Sequence, residues 1–408
     1  MIITSRDING TVQVPSSKSV LHRLIILASL CTTPTKIYCR VLGNDVLATI
    51  DCVTKLSAKV QFCDGYIIVY PISQKVDNVC LDVKESGSTL RFLLPVVASL
   101  GVRATFIGSP SIISRPIKPI VDLLCSCGVS ISSCTLPLTI SGKLQKGNYK
   151  IDGSLSSQFA SGMLLALANI GDSTLEITNA TSIDYLNITT KCIKQFGGNI
   201  CYNNRYVFAQ RNIVSCNKIV AEGDWSSACF ILAMGVLYGK TTVTNLDINS
   251  MQGDKIIVNI LKDMGGKITI CNGEIIAEKS NLYATTVDIK NYPDIATILA
   301  VLMANAKGKS VIKSVDRLKI KESDRLKNII EMLDKIGVKT EYFDDTLTIY
   351  GSDTKLATLQ GENDHRVAIS AIVALTKTGG IVEGVRCIDK SYPTFLQDYK
   401  TLGGCYEI

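Results

Sequence analysis

The 408-residue sequence contains only two histidines and one tryptophan, and Phe, Trp and Tyr together make up 6% of it. A metal site built from histidines is therefore not expected around His22 and His365. The sequence also lacks a GxGxxG after a predicted strand, and it has no GxxxxGKS/T, HExxH or GxSxG motif. It thus gives no sign of the common dinucleotide, P-loop, zinc-protease or serine-hydrolase sites.

Long apolar runs are missing too. The longest, Ala228–Tyr238, contains Gly235 and is shorter than the ~20 residues that span a bilayer. Residues 1–14 include no apolar segment of the secretory type. The 15 cysteines are scattered through apolar stretches without a Cys-x2-Cys pair, which is typical of small buried side chains in a reducing compartment. We therefore expect a soluble, cytoplasmic protein with no membrane partner.

The charge balance is mildly basic. Lys and Arg number 43 against 36 Asp and Glu, which gives a formal charge of +7. Charged residues at 19% and hydrophobic residues at 46% exclude a largely disordered chain. The small excess favours anionic ligands without requiring nucleic acid. At ~100–200 residues per domain, the length predicts two or three domains.

A six-fold repeat is present along the chain. In each instance an amphipathic segment is followed by an apolar residue, a small residue and a short β-rich run. The small residues lie 66 to 72 positions apart, at Ser57, Gly128, Gly197, Gly265, Gly337 and Gly403. Such a period indicates repeated supersecondary units, each with a helix, a cap and a strand. Six units of this kind predict an α/β protein with two domains of three units.

The fifth unit predicts its helix in detail. Ser323 is expected to cap the helix, whose apolar residues recur at i, i+3, i+4 and i+7, and Gly337 is expected to end it. The segments Phe159–Asn169 and Ser226–Gly235 are apolar nearly all round. These two helices should therefore be buried.

Basic residues recur beside hydroxyl residues or glycine where helices are expected to begin. Ser17–Ser19 leads into a helix that carries Arg23, and this is either an anion site or an ordinary capped surface helix. Glu85–Arg91 repeats the design, and Asp152–Gln158 again places hydroxyls and an amide where a helix is expected to begin. Arg115 precedes a proline, so it is expected outside a helix. The recurrence favours a ligand with several phosphate or carboxylate groups.

The second half adds acid–base candidates. Lys321 and Arg325 are four residues apart and can face one anion, while Glu322 between them is a candidate general acid or base. The alternative is a surface cluster of salt bridges. Asp294 and Asp364 each precede an apolar run, where an N-cap is the simplest role. Lys390, in a polar loop, is expected to be exposed.

Together these motifs resemble the 5-enolpyruvylshikimate-3-phosphate synthases, within the enolpyruvyl transferase family, over essentially the whole chain. The strongest pieces are Ser17-Lys18-Ser19 with Arg23, Asp152–Gln158, Glu222-Gly223-Asp224 before Ser226-Ser227-Ala228, Met251-Gln252-Gly253-Asp254, Lys321–Arg325 and Asn363–Arg366. The resemblance implies an inside-out α/β barrel fold of two domains, each with three βαβαββ-type units. Residues 1–16 plus 224–408 are expected in one domain and residues 17–223 in the other.

The resemblance also implies the reaction. The family transfers the enolpyruvyl group of phosphoenolpyruvate to the 5-hydroxyl of shikimate 3-phosphate and releases phosphate, by addition and elimination through a tetrahedral intermediate. This step belongs to the shikimate pathway, which leads to chorismate and the aromatic amino acids. It needs one acid and one base. We expect no metal or redox cofactor, no nucleic-acid partner, and a monomer.

The family's residues carry over position by position. Its acid–base carboxylates match Asp294 and Glu322, and Lys18 matches a catalytic lysine that touches both substrates. The residues that match the phosphoenolpyruvate site are Lys18, Gly87, Arg115, Gln158, Arg325, Arg366 and Lys390. The residues that match the shikimate 3-phosphate site are Lys18, Ser19, Arg23, Ser156, Ser157, Gln158, Ser182, Tyr185, Asp294 and Lys321.

Some positions depart from the family pattern. Residues 85–88 read Glu-Ser-Gly-Ser where many members read Asn-Ala-Gly-Thr, and Phe92 replaces a proline. Arg317 stands where other members place Asn or Glu near shikimate 3-phosphate, so its contact is left unassigned.

The sequence fits two other functions less well. The sister transferase that acts on UDP-N-acetylglucosamine uses a cysteine just before the Arg-Pro pair, and Gly108–Arg115 contains none. A non-catalytic RNA-binding protein needs a basic stripe with interleaved aromatic residues. Here the aromatic content is only 6% and the basic residues lie in discrete motifs.

Overall fold

The structure is a computed structural model that describes residues 1–202, 205–211 and 213–408. The chain forms two compact units. One, the split unit, consists of Met1–Pro15 and Glu222–Ile408. The other, the continuous unit, is Ser16–Ala221.

These bounds differ by one or two residues from the expected ones, for reasons visible in the backbone. Ser16 lies in the continuous unit because its N–H donates to the carbonyl of Arg40 and its Oγ donates to that of Ala221. Gly223 lies in the split unit because its N–H donates to the carbonyl of Asn245.

The strands within the described ranges are short. In chain order they are β1 (Ile2–Thr4), β2 (Ile8–Gln13), β3 (Thr35–Tyr38), β4 (Lys59–Cys63), β5 (Tyr66–Tyr70), β6 (Val79–Asp82), β7 (Ala104–Ile107), β8 (Ser130–Ile131), β9 (Leu138–Ser141), β10 (Asn148–Asp152), β11 (Gly171–Thr178), β12 (Ile200–Tyr202), β13 (Tyr206–Gln210), β14 (Lys218–Val220), β15 (Gly239–Thr244), β16 (Lys267–Cys271), β17 (Glu274–Glu278), β18 (Thr286–Asp288), β19 (Lys309–Lys313), β20 (Thr340–Phe343), β21 (Thr346–Tyr350), β22 (Ala357–Gln360), β23 (Gly380–Glu383) and β24 (Cys405–Glu407).

Helices alternate with these strands. In chain order the α-helices are α1 (Lys18–Leu30), α2 (Asn44–Lys55), α3 (Gly87–Leu100), α4 (Pro110–Ile113), α5 (Lys118–Ser126), α6 (Ser157–Ile170), α7 (Ile183–Gln195), α8 (Trp225–Tyr238), α9 (Ile257–Asp263), α10 (Ala296–Ala304), α11 (Arg325–Lys335), α12 (His365–Leu375) and α13 (Phe395–Thr401). Short 3-10 helices lie at Gly253–Ile256, Pro293–Ile295, Asp316–Ile320 and Val385–Lys390.

The described strands form six four-stranded sheets that share one topology. In the continuous unit the orders are β14-β3-β5-β4, β6-β7-β9-β8 and β10-β11-β13-β12. In the split unit they are β2-β15-β17-β16, β18-β19-β21-β20 and β22-β23-β1-β24. In every sheet the first two strands are parallel and the later pairs are antiparallel. The six repeated units predicted from the sequence are confirmed.

The sheet that contains β1 is assembled from both ends of the chain. Ile2 of β1 pairs with Ile381 of β23 on one side and with Glu407 of β24 on the other. β2 likewise pairs in parallel with β15, which follows some 230 residues later. The first 15 residues therefore belong to the split unit.

Each unit has its own apolar core. As predicted, α6 and α8 are buried along nearly their whole length. Helices α3 and α6 pack closely at Gly162, where a Cβ would lie 2.3 Å from the carbonyl oxygen of Arg91. Within the ranges described, no helix combines the length and apolar character needed to cross a membrane.

Helix α11 ends as predicted, at Gly337 with a φ of +86°, but it begins differently. Its N-cap is Asp324, whose carboxylate accepts from the N–H of Lys327 at 3.0 Å. The prediction that Ser323 caps the helix is wrong, because the Ser323 hydroxyl instead donates to the carboxylate of Asp364 at 3.2 Å.

Candidate active site

Lys18 is the first residue of α1. It lies at the helix N-terminus, where the macrodipole favours anions. Its Nζ donates to the carboxylate of Asp45 at 3.0 Å, and both side chains are almost buried. Asp45 lies in the first turn of α2. The ion pair thus fixes the ammonium group beside the α1 N-terminus.

Arg23 lies one turn after Ser19 and is 2% exposed. Its Nη1 donates to the Ser19 carbonyl at 2.6 Å, and its Nε donates to the Thr189 hydroxyl at 2.7 Å. Its Nη2 donates to the Ser161 hydroxyl and the Tyr185 carbonyl, both at 3.1 Å. Burial lowers the pKa of Arg23 to about 10, so the group is charged at neutral pH.

Gly87 opens α3 and faces the guanidinium of Arg115. A Cβ built on Gly87 would lie 2.6 to 2.8 Å from Nη1, Cζ and Nη2 of Arg115, so a larger residue would displace the arginine. The N-cap of α3 is Ser86, whose Oγ accepts from the N–H of Thr89. Arg115 lies between α4 and α5, outside both helices, as predicted.

The α6 N-terminus carries the next set of predicted residues. Its N-cap is Ser156, whose Oγ accepts from the N–H of Gln158 at 3.3 Å. Gln158 donates through Nε2 to the hydroxyl of Ser88 at 2.9 Å and accepts at Oε1 from Arg91 at 2.7 Å. Ser157, between the two, is 6% exposed. The hydroxyl and amide groups of α3 and α6 therefore form one network.

Ser182 is the N-cap of α7 and has left-handed backbone angles, with φ 52° and ψ 50°. Such angles are costly for a non-glycine residue and concentrate at binding sites. The Ser182 carbonyl accepts from the N–H of Tyr185 at 3.1 Å, and the Tyr185 carbonyl accepts from Arg23. The continuous unit therefore brings Ser19, Arg23, Ser182 and Tyr185 into one neighbourhood.

In the split unit the central group is Arg325, at the start of α11 and fully buried. Its guanidinium bonds three carboxylates: Asp294 at 2.9 Å, Glu322 at 2.6 Å and Asp364 at 2.7 Å. Asp364 is also the N-cap of α12. The Asp294 and Glu322 side chains retain about one-fifth of their surface, so both remain accessible.

Asp294 lies among cations. Arg366 Nη2 is 3.2 Å from its Oδ2, and Lys321 Nζ is 3.9 Å from its Oδ1. Burial alone would raise the pKa of Asp294, but Arg366, Lys321 and Arg325 outweigh burial and hold that pKa well below its usual range. Asp294 is therefore ionised at neutral pH.

Lys390 is 8% exposed, so the expectation of an exposed lysine is wrong. It ends a 3-10 helix and donates to the carbonyl of Asn363 at 2.5 Å. Glu362 and Asn363 both have a φ of 51°, and this left-handed turn directs the Asn363 carbonyl to the lysine. Lys390 is thereby held beside the N-terminus of α12.

Two motifs that carried the resemblance bond to each other at the start of α8. Gln252 donates to the Glu222 carboxylate and to the Gly223 carbonyl, both at 2.8 Å. Asp224 is the N-cap of α8, and Ser226 donates to Asp254. Burial raises the pKa of Asp254 to about 6. These motifs anchor the base of α8.

The predicted site residues thus form two groups. The continuous-unit cluster consists of Lys18, Ser19, Arg23, Gly87, Arg115, Ser156, Ser157, Gln158, Ser182 and Tyr185. The split-unit cluster consists of Asp294, Lys321, Glu322, Arg325, Arg366 and Lys390. Two partners were not predicted from the sequence: Asp45, which bonds Lys18, and Asp364, which bonds Arg325. Nothing local to Asp45 distinguishes it, whereas Asp364 sits in the Asn363–Arg366 motif.

Solved structures with the same architecture include the EPSP synthase from Acinetobacter baumannii, with a TM-score of 0.81 and 22% identity over 98% of this chain and 97% of that one. The enolpyruvyl transferase NikO from Streptomyces tendae matches with a TM-score of 0.81 and 15% identity, over 99% and 97% of the two chains. At these identities the likeness defines the class of fold. It is that of the enolpyruvyl transferases, which confirms the expected inside-out α/β fold.

Sequence comparison is more specific. The family model for EPSP synthase (3-phosphoshikimate 1-carboxyvinyltransferase) matches residues 2–399. A 3-phosphoshikimate 1-carboxyvinyltransferase from Clostridium kluyveri is 36% identical over 420 residues, covering 98% of this chain and 97% of the relative. That of Pyrococcus abyssi is 36% identical over 404 residues with the same coverage. The chain belongs to the EPSP synthase family.

Proposed function

We propose that this protein transfers the enolpyruvyl group of phosphoenolpyruvate to the 5-hydroxyl of shikimate 3-phosphate, with release of phosphate. The observation that carries the proposal is the buried guanidinium of Arg325, which bonds both Asp294 and Glu322. It holds two accessible carboxylates within reach of one anion-binding centre. An addition–elimination reaction on an anionic substrate requires that combination.

The two carboxylates take different roles. Asp294 is ionised because of its cationic neighbours, so it is the base that accepts the proton of the 5-hydroxyl. The hydroxyl oxygen then adds to the central carbon of phosphoenolpyruvate, while Glu322 gives a proton to the methylene carbon. In the elimination step the carbon–oxygen bond to phosphate breaks, the departing phosphate takes the proton held by Asp294, and the new methyl group loses a proton. Glu322 is the group that takes it back.

The remaining assignments concern binding. For phosphoenolpyruvate we assign Lys18, Gly87, Arg115, Gln158, Arg325, Arg366 and Lys390. For shikimate 3-phosphate we assign Lys18, Ser19, Arg23, Ser156, Ser157, Gln158, Ser182, Tyr185, Asp294 and Lys321. Two features support them. Gly87 lets the Arg115 guanidinium approach the α3 N-terminus, and hydroxyl groups surround the α6 N-terminus. Both are suited to phosphate and carboxylate oxygens.

The proposal includes the setting in which the protein works. We assign it two domains, which correspond to the split and continuous units, and small-molecule substrates only. We also assign it a monomeric state and the cytoplasm. Fifteen free cysteines support a reducing compartment. Eight of those in the continuous unit are exposed or partly exposed: Cys39, Cys63, Cys80, Cys125, Cys127, Cys134, Cys201 and Cys216. Sedimentation at several concentrations would test the monomer.

The direct test is phosphate release from phosphoenolpyruvate, measured with and without shikimate 3-phosphate. We expect release only when both substrates are present. A parallel reaction with UDP-N-acetylglucosamine in place of shikimate 3-phosphate distinguishes the sister activity. Release with the nucleotide sugar, or no release with either acceptor, would contradict the proposal.

A further inference from the structure

Arg91 is a buried arginine of α3 that belongs to neither set of proposed substrate contacts. Its Nη1 donates to Oε1 of Gln158 at 2.7 Å, and its Nη2 donates to the carbonyl of Pro116 at 2.9 Å. Gln158 is a proposed substrate contact, and Pro116 follows Arg115 directly. One guanidinium therefore joins α6 to the segment that carries Arg115.

The position of Arg91 is itself tightly determined. At Gly162 the absence of a Cβ allows α6 to approach the backbone of Arg91. Gly162 and Gln158 are four residues apart, so they lie on the same face of α6. The Arg91 guanidinium also lies over the ring of Phe159, 5.2 Å from its centroid. Backbone contact and stacking together hold the arginine in place.

The contact with Gln158 determines how its amide group is oriented. Arginine has donors and no acceptor, so it binds the amide oxygen of Gln158 and not the amide nitrogen. The nitrogen is then directed to the hydroxyl of Ser88, at 2.9 Å. On its other side, Arg91 holds the carbonyl that follows Arg115, whose guanidinium lies against Gly87.

We propose that Arg91 is a positioning residue for phosphoenolpyruvate, which acts through Gln158 and Arg115. The inference rests on the proposed function of the same site. A misplacement of about 1 Å in a binding group can cost up to ~10²-fold in rate. Lysine cannot replace Arg91, because a single ammonium lacks the planar fork that reaches two fixed acceptors.

The experiment uses the variants Arg91→Lys and Arg91→Met. Steady-state rates are measured with phosphoenolpyruvate varied at saturating shikimate 3-phosphate, and shikimate 3-phosphate binding is measured by calorimetry. We expect the KM for phosphoenolpyruvate to rise about 10- to 100-fold in both variants. The Kd for shikimate 3-phosphate should change much less, because most of its proposed contacts do not involve Arg91.

Arg211, which is exposed, provides a control in the same unit with the same kinds of bond. It also donates to a side-chain amide oxygen, that of Asn169 at 3.2 Å, and to a backbone carbonyl, that of Leu30 at 2.9 Å. It has no bond to a proposed site residue among these contacts. Arg211→Lys and Arg211→Met should lower Tm slightly and leave both substrate constants unchanged.

An unchanged KM for phosphoenolpyruvate in folded Arg91→Lys would overturn the proposal. Equal losses for both substrates would also overturn it, because they would indicate general disruption. If Arg91→Met does not fold, Arg91→Lys decides, since it keeps the charge and most of the volume. If the wild type is active and the Arg91 variants are unaffected, only the proposed role of Arg91 is contradicted. If the wild type is inactive, the proposed function is overturned as well.

Discussion

Arg23 and Arg325 are both buried arginines, one in each unit, and their partners differ in kind. Arg23 donates to two hydroxyls and two carbonyls, all neutral, and burial lowers its pKa to about 10. Arg325 donates to three carboxylates, and although burial opposes the charge, Asp364, Glu322 and Asp294 raise its pKa well above the usual value. The hydrogen-bond partners of Arg23 thus carry no negative charge to balance the guanidinium, whereas the three carboxylates bonded to Arg325 carry more negative charge than its guanidinium carries positive.

Because their partners differ, the two arginines are suited to different roles. Neutral partners orient a cation and leave its field available to an anion, which suits a binding group. Carboxylate partners reduce that field but bring groups that can exchange protons. We therefore expect substitutions in the continuous-unit cluster to change substrate binding, and substitutions of Asp294 and Glu322, the two accessible carboxylates bonded to Arg325, to change the chemical step.

The largest effect is expected from Glu322→Gln and Asp294→Asn. Each keeps the size of the side chain but cannot transfer the proton, so kcat should fall ~10²–10⁴-fold while shikimate 3-phosphate still binds. Rates and calorimetric binding measure the two effects separately. Asp324→Asn is the control, because this neighbouring carboxylate caps α11 and asparagine caps equally well. A fully active but less stable Glu322 or Asp294 variant would give that residue a structural role.

A smaller effect, of the other kind, is expected in the continuous unit. Lys18→Ala and Arg115→Ala should each lower kcat/KM at least ~10-fold, since a hydrogen bond to a charged group contributes ~1.5–3 kcal/mol. Lys146→Ala removes an exposed lysine paired with Asp172 in the same unit and should leave kcat/KM unchanged. Wild-type kinetics in either site variant would remove that residue from the binding cluster.

The third expectation concerns pH. Burial, aided by Arg325 and Arg317, lowers the pKa of Lys321 to about 8 despite the attraction of Asp294. Above that pH the free enzyme loses the positive charge of Lys321, so kcat/KM for shikimate 3-phosphate should fall, by up to ~10-fold per pH unit. Lys321→Arg keeps the charge and should move the decline to higher pH. A decline at the same pH in that variant would assign it to another group.

The smallest expected effect is on stability. The native pKa of Asp254 is raised to about 6, above the ~3.9 of an unfolded aspartate. Between these values the native state binds more protons, so this group makes the protein less stable as the pH rises through that window. The Asp254→Asn variant should therefore be more stable than wild type at pH 7 but not at pH 4. Each kcal/mol of added stability should raise Tm by about 2–4 °C. An equal difference at both pH values would contradict the raised pKa of Asp254.

Much of the fold could be predicted from the sequence because the repeat is local. Each of the first five units carries its own helix, cap and β-hairpin, and in the fifth unit α11, Gly337, β20 and β21 follow one another directly. The burial of α6 and α8 likewise follows from their composition. The residue that caps α11 could not be predicted in the same way, because the Ser323 hydroxyl donates to Asp364, which lies 41 residues away.

The same limit applies to the site. The motifs at the starts of α1 and α3 signal helix N-termini with hydroxyls and cations, and the motif at the start of α6 signals one with hydroxyls and an amide. Each has that form in the structure. The partners of these groups come from elsewhere in the chain. Asp45 lies 27 residues from Lys18, and Asn363 lies 27 residues from Lys390. The polar sequence around Lys390 does not indicate that its ammonium group donates to a distant carbonyl or that the side chain is buried.

The pairing of β1 between β23 and β24 affects the order in which the protein can be completed during synthesis. The first 15 residues leave the ribosome before any of their strand partners exist, since β15, β23 and β24 lie beyond residue 238. The continuous unit has all of its strands once residue 220 has emerged. The continuous unit can therefore fold while residues 1–15 are still unpaired. The sheets of the split unit are complete only after β24 has left the ribosome.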